Sequence, residues 1–393
     1  MASQPRTLDV VEPPLVAARR IAPLAAASAA RAERDRALAP ELVSELVDAG
    51  LLRLGVARSF GGREADAGEL LETIEELARA DASTGWCVMI AATSGLMSAY
   101  LAPDEAMAVY GDPRSVSAGV FAPCGRAQRR DGGFVVGGRW SLVSGISHSN
   151  WVTAGCVVYD GDEPSLLGPE APDVRLVLLP TAALEVIDTW TASGLCATGS
   201  HDVAVGEEPV AAGRAVSLVS DRPVLDGALY AFPLFGLLAL GIAAVALGVA
   251  RAAIDDFIEL AAEKRPVGSA RPLADRSGVQ RDLAEAEAAL RAARAHVQLA
   301  TDAAWRAACE QAALDLERRV DLRLAATHAT RTSAAVVDVV YNAAGASAIY
   351  ASSPLQRRFR DVHVATQHMM VSAQAVELTG RVLLGLSANT AQL

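Results

Sequence analysis

Apolar residues recur at every third or fourth position through much of the first 115 residues. Between Glu69 and Ala80 they form one face of a helix, and Pro40 begins another such segment because proline suits a first helical turn. The polar residues from Asp81 to Thr84 precede a more apolar segment, Gly85 to Leu101, and can accept hydrogen bonds from its free amide groups. This pattern predicts an N-terminal helical domain over residues 1–115.

The pattern changes between residues 116 and 222, where short apolar runs alternate with clusters of turn residues. Asp131-Gly132-Gly133 and Asp160-Gly161-Asp162 are typical of tight turns between strands. We therefore expect a β domain, a small antiparallel sheet or barrel, with strands over runs such as Gly133–Val136, Trp151–Thr153, Cys156–Tyr159 and Arg175–Leu179.

Helical periodicity returns over residues 223–393, in four long segments near 227–262, 276–312, 315–350 and 361–390. Four such segments predict a C-terminal helical bundle. The 24 residues from Gly227 to Ala250 carry no charge and are long enough to cross a membrane. Pro233 and the charged continuation from Arg251 favour a buried core helix instead. The predicted fold is mostly α with a central β domain.

Composition and charge narrow the possible functions. The net charge of -11 and the absence of a dense basic cluster argue against nucleic-acid binding. The five cysteines are scattered without a CxxC pair, and His, Asp and Glu show no ligand spacing, so we expect no metal. The first residues lack a secretory signal pattern, and a reduced, cytoplasmic location is expected.

Several short motifs follow one another in the order of the predicted domains. They are Gly138–Gly145 (GRWSLVSG) with His148 and Trp151 after it, Asp188–Trp190, Gly194–Val203 (GLCATGSHDV), and Arg360–His363 with His368 five residues on. On these motifs the chain resembles the acyl-CoA dehydrogenase superfamily, with its N-terminal helical domain, β-barrel or sandwich and C-terminal four-helix bundle. More narrowly, it resembles the flavin-dependent monooxygenase branch (group D), the oxygenase components of two-component systems.

One departure from the common dehydrogenases favours the monooxygenase branch. Those enzymes place a catalytic glutamate just before the Arg-Asp pair, at a position that falls near Ser352 here. No carboxylate occurs from Tyr341 until Asp361, and a thioester α-proton needs a base with a raised pKa. A base on another helix, Glu259 or Glu263, keeps the dehydrogenase alternative open.

The resemblance implies roles for particular residues. His368 would donate a hydrogen bond to the flavin peroxide and help deprotonate or orient a substrate hydroxyl. Ser144 would face flavin N5 or the peroxide. Trp140 and Trp190 would flank the flavin ring, Phe121 would pass its edge, Trp86 would wall the pocket and Arg265 would meet the flavin phosphates of a neighbouring subunit. His148 and Met369 would line the substrate site. The alternatives are a core histidine for His368, a turn serine for Ser144 and a loop histidine bonded to Asn150 or a carbonyl for His148. Core positions are the alternative for Trp140, Trp190, Trp86 and Met369, and a solvated loop arginine is the alternative for Arg265.

The resemblance also implies a reaction. Reduced flavin, FMNH2 or FADH2 from a separate NAD(P)H-dependent reductase, would react with O2 to a C4a-(hydro)peroxide that oxygenates a hydrophobic aromatic or polyketide-like molecule. A homotetramer is expected. Three alternatives stay open: an acyl-CoA dehydrogenase, an N-oxygenase of an amino sugar on the same scaffold, and a non-catalytic helical assembly protein.

Overall fold

Helices form the first part of the structure, a computed structural model that describes residues 12–168, 171–311 and 315–393. As predicted, α3 buries its apolar face, including Ile74 and Leu77, and Asp81 caps α4 by accepting a hydrogen bond from the Thr84 amide at 2.8 Å. The helices of this part are α1 Pro14–Asp35, α2 Pro40–Asp48, α3 Ala67–Ala80, α4 Ala82–Gly95 and α5 Pro103–Tyr110.

A mixed β-sheet follows, so the expectation of a purely antiparallel sheet is wrong. Strands β1 and β2 form a hairpin around Gly132, and β3 then returns on the other side of β1, parallel to it. Because β2 and the connection after it each reverse the chain, β3 takes the direction of β1. The strands are β1 Ser117–Arg130, β2 Gly133–Trp140, β3 Trp151–Asp160, β4 Glu163–Pro164, β5 Val174–Pro180, β6 Glu185–Ile187, β7 Asp202–Ala211 and β8 Ala215–Val216. Across the sheet they lie in the order β6-β7-β2-β1-β3-β5-β8, and β4 pairs with β3 outside this order.

Helices return after the sheet and enclose the main hydrophobic core. They are α6 Ala228–Ala231, α7 Leu234–Glu263, α8 Ser277–Cys309, α9 Leu316–Ala344, α10 Pro354–Ala365 and α11 Ala373–Leu383. Within the described residues, α7 is the one helix long and apolar enough to cross a membrane, and 94% of its apolar window is buried inside the protein. It is therefore a core helix, as the sequence pattern favoured.

The last predicted helix, 361–390, is divided into α10 and α11. Pro354 begins α10 earlier than expected, and the helix ends at Ala365. The intervening segment contains a short 3₁₀ turn, Met369–Val371, with His368 as its N-cap. His368 consequently lies in a turn. The sequence had suggested that it shares one helix with His363, and this expectation is wrong.

Candidate functional site

Two loops at the end of the sheet meet and are held together by backbone hydrogen bonds. The first follows β2 and contains Ser144, and the second precedes β7. The Val143 amide donates to the His201 carbonyl at 3.1 Å, and the Gly145 amide donates to the Thr198 carbonyl at 2.8 Å. Gly145 has a φ of 78°, a conformation that favours glycine. The second loop contains Leu195 with a φ of 51°, an uncommon backbone conformation for a branched residue.

Three buried hydroxyl groups connect these loops to the N-terminal helices. The Trp86 indole N–H, from α4, donates to Ser144 Oγ at 3.0 Å. Ser144 Oγ lies 2.8 Å from Ser200 Oγ, which lies 2.7 Å from Thr198 Oγ1. Thr198 Oγ1 donates to the Leu195 carbonyl at 2.7 Å. We call Ser144, Ser200 and Thr198 the hydroxyl chain.

His368 reaches the same place from the C-terminal helices. Its ring packs edge-on against the Trp86 indole, with 5.9 Å between the ring centroids. Burial, reinforced by the nearby Arg323 guanidinium, lowers the pKa of His368 to about 4, so the imidazole is neutral at neutral pH. Its Nδ1 accepts a hydrogen bond from the Met370 amide at 3.2 Å. The neutral ring therefore carries its proton on Nε2, which can donate to a ligand.

Helix α10 is attached directly to the second loop. Asp361 is buried, and its Oδ1 accepts a hydrogen bond from the Leu195 amide at 2.7 Å. Gly194 lies against the α10 backbone so closely that a Cβ would stand 2.4 Å from the Arg360 carbonyl oxygen. Burial raises the pKa of the Asp361 carboxyl to about 7, and the nearby Asp81 carboxylate adds to the rise. The same helix that leads to His368 thus also fixes the Leu195 end of the hydroxyl chain.

The aromatic residues predicted to surround a flavin fall into two groups. Trp190 and Phe121 are half-buried, which leaves ring surface available to a ligand, and Trp190 Nε1 donates to the Cys196 carbonyl at 3.1 Å. Trp140 is 0% exposed in the core of the sheet, and its indole N–H donates to the Gly155 carbonyl at 2.7 Å. The predicted flavin contact of Trp140 is therefore corrected to a core position, because no face of its ring is free.

The remaining predicted residues lie at different distances from this cluster. His148 lies beside it, with a ring nitrogen 3.1 Å from where a Gly145 Cβ would be, while Met369 is next to His368 and 59% exposed. Burial lowers the pKa of His148 to about 4, and its Nδ1 is buried without a hydrogen-bond partner among the described residues. Both stay predicted substrate residues.

Arg265 lies just beyond the end of α7, in the connection to α8. Its exposed guanidinium donates to the Ala270 carbonyl at 2.8 Å and makes no hydrogen bond or ion pair with the cluster among the described residues. Its predicted contact with the flavin phosphates of a neighbouring subunit stays a prediction.

Sequence reasoning assigned no role to three residues that the structure brings into the site: Thr198, Ser200 and Asp361. Thr198 and Ser200 lie in the motif GLCATGSHDV, and both are buried although a loop of Gly, Ser and Thr predicts exposure. Their proximity to Ser144 depends on the pairing of β2 with β7, which brings Trp140 opposite Val203.

Comparisons with known proteins agree with this geometry. The family model described as acyl-CoA dehydrogenase, N-terminal domain, matches residues 15–105, and that of the C-terminal domain matches residues 240–373. An indole-3-acetate monooxygenase from Pseudomonas putida is 34% identical over 90% of this chain and 89% of its own length. An FADH2-dependent resorcinol hydroxylase, oxygenase component, from Rhizobium sp. is 26% identical over 93% of this chain and 92% of its own length.

A solved structure gives the same result. XiaF from Streptomyces sp., in complex with FADH2 and glycerol, has a TM-score of 0.87 to this chain at 28% identity, with 95% of each chain covered. The fold is thus that of the acyl-CoA dehydrogenases. Within that class, the chain belongs to the flavin-dependent monooxygenases, the oxygenase components that use reduced flavin from a separate reductase. The resemblance, the enzyme class and the reduced-flavin cofactor predicted from the sequence are confirmed.

Proposed function

We propose that this monooxygenase binds reduced flavin against Ser144 and the half-buried aromatic rings, and oxygenates a hydrophobic aromatic small molecule beside His368. The observation that carries the proposal is the contact of both His368 and Ser144 with one indole, that of Trp86. It brings a neutral proton donor from the C-terminal part of the chain and a hydroxyl chain from the loops of the sheet to one buried place.

The residues at this place fit a flavin. Trp190 and Phe121 offer partly exposed aromatic surface, and Ser144 supplies a polar atom beside the Trp86 indole. Reduced flavin, when bound, activates O2 for insertion into the substrate. His368 would hold a proton on Nε2 for transfer to or from the reacting oxygen, and Trp86 would keep water away from it.

The relatives' names support an aromatic substrate, since one acts on indole-3-acetate and another on resorcinol. Ser94 on α4 has a buried Oγ without a hydrogen-bond partner in the described part of the chain. This oxygen would lie 2.3 Å from a Cβ at Gly119, next to the Phe121 ring. An unpaired buried hydroxyl is costly, so a polar substituent of the substrate is a suitable partner for Ser94.

The dehydrogenase alternative has less support. Its open candidates for the base, Glu259 and Glu263, are exposed on the second half of α7, whereas such a base needs burial to raise its pKa. The buried carboxyl of Asp361 is occupied by the Leu195 amide.

We also propose a cytoplasmic homotetramer. Ile349, Tyr350, Leu383 and Leu384 are large apolar side chains left exposed on the C-terminal helices and their connections, as in an association surface. In such an assembly Arg265 would meet the flavin phosphates of a neighbouring subunit.

The test mixes anaerobic protein and reduced flavin with O2 and follows the absorbance in a stopped-flow instrument. A transient species that is absent with free flavin, followed by oxygenated product when an aromatic acid or phenol is present, supports the proposal. Oxidation kinetics identical to those of free flavin would contradict it. Bleaching of tightly bound oxidised flavin by an acyl-CoA would favour the dehydrogenase.

A further inference from the structure

The direction of every hydrogen bond in the hydroxyl chain can be assigned, because both of its ends are fixed. At one end Trp86 Nε1 can only donate, and at the other the Leu195 carbonyl can only accept. Thr198 gives its single proton to Leu195, so Ser200 must donate to Thr198. Ser144 must then donate to Ser200. All the bonds point the same way, from Trp86 to Leu195.

This direction determines what Ser144 can offer to a ligand. A serine hydroxyl has one proton and two acceptor positions. Its proton is committed to Ser200, and one acceptor position is taken by the Trp86 N–H. Among the described residues, the capacity that remains on Ser144 Oγ is a single acceptor position. Ser144 is consequently suited to a ligand atom that carries a hydrogen, and unsuited to one that bears only a lone pair.

Reduced and oxidised flavin differ in this property at N5, which carries a hydrogen only in the reduced form. We propose that Thr198 and Ser200 are positioning residues that keep Ser144 a hydrogen-bond acceptor, so that the site selects flavin bearing N5–H over flavin without it. The proposal rests on the proposed placement of flavin against Ser144. It assigns the redox preference to two residues that need not touch the cofactor.

The Leu195 end of the hydroxyl chain is held in place by a contact with another helix. The Leu195 amide donates to Asp361 of α10 at 2.7 Å, while the Leu195 carbonyl accepts from Thr198. Thr198 and Ser200 are almost completely buried, so water does not compete readily for their protons. The Leu195 carbonyl also accepts from the Thr198 amide at 3.1 Å and from Trp190 Nε1 at 3.3 Å, and the 2.7 Å bond from Thr198 Oγ1 is the shortest of the three. The loss of this short buried bond is what opposes reversal of the hydroxyl chain.

The experiment measures dissociation constants of reduced and oxidised FMN and FAD under anaerobic conditions, by ultrafiltration or fluorescence quenching. Thr198→Val removes the acceptor of the Ser200 proton at nearly constant volume, which lets that proton turn to Ser144 and frees Ser144 to donate. Ser200→Ala frees the Ser144 proton directly. We expect the preference for reduced over oxidised flavin to fall about 3- to 10-fold in both variants, the worth of one hydrogen bond.

Two controls and one chemical probe sharpen the test. Thr198→Ser keeps the chain, and Ser147→Ala removes an exposed hydroxyl from the same loop, so both should retain the wild-type preference. Reduced 5-deaza-FMN has carbon in place of N5 and lacks the N–H. The wild type should bind it more weakly than reduced FMN by the same factor, and the Thr198→Val variant should not distinguish the two.

The outcomes separate this proposal from the proposed function. If the wild type prefers reduced flavin and both variants keep that preference, Thr198 and Ser200 do not set it. If the wild type binds reduced FMN and reduced 5-deaza-FMN equally, the assignment of Ser144 as acceptor is wrong, although flavin binding stands. If no form of flavin binds, the proposed function itself fails. Thermal unfolding of each variant establishes that it is folded, and Thr198→Val decides the question where Ser200→Ala does not fold.

Discussion

Replacing Asp361 with asparagine should change the pH dependence of stability. The folded protein raises the pKa of this carboxyl to about 7, against about 3.9 for an aspartate in an unfolded chain. The folded state binds the Asp361 proton more tightly than the unfolded state does. The stability that this proton contributes is therefore fully present below pH 3.9 and is lost as the pH rises through 7. From these two values, the wild type should lose about 2–3 kcal/mol of unfolding free energy between pH 5 and pH 8 through this group alone.

Asparagine removes the titration and keeps an oxygen that can accept from the Leu195 amide. Any constant cost of the substitution cancels when the difference between variant and wild type is compared at two pH values. Urea unfolding at pH 5 and pH 8, at matched protein concentration, should show Asp361→Asn gaining about 2–3 kcal/mol relative to the wild type at the higher pH. Asp302→Asn, an exposed change on α8, serves as the control. An equal difference at both pH values would refute the reasoning.

Three further substitutions test other parts of the site. His368→Ala should raise the hydrogen peroxide released per flavin oxidised, whereas His363→Ala, which breaks a pair with Asp338, should not. Trp140→Phe should cost about 1–3 kcal/mol of stability through its lost hydrogen bond and leave flavin affinity unchanged, as measured by urea unfolding and flavin titration. Gly194→Ala should destabilise the protein by a similar amount and weaken flavin binding, whereas Gly206→Ala has open space and should do neither.

The arrangement of helices, sheet and helices followed from local patterns that the tertiary structure does not override. Proline at position 40 and the Asp81 cap begin α2 and α4 where the sequence predicts. The parallel pairing of β1 with β3 was not predictable in this way, since periodicity shows that a strand forms and does not identify its partner. The division between α10 and α11 was missed because the segment around His368 contains no glycine or proline.

The site was predictable only as far as its motifs were recognised. His368 and Ser144 both contact Trp86, while Trp140 does not join them, and the roles that the resemblance implies for the first three stay predictions. The sequence alone does not show which of Trp86 and Trp140 lies at the site. What separates them is alternation along β2, which turns Trp140 into the sheet core, where the Gly155 carbonyl satisfies its indole.

The electrostatic character of the site argues for oxygen activation beyond the missing glutamate near Ser352. At neutral pH, His368 is neutral, and Ser144, Ser200, Thr198 and Trp86 carry no charge. Burial raises the pKa of Asp361 to about 7, and its carboxyl accepts a hydrogen bond from a backbone amide. A thioester base would need a carboxylate that can accept a proton from the substrate. This cluster instead offers fixed donors and acceptors in a buried setting, which suits a cofactor that must be oriented and kept from water.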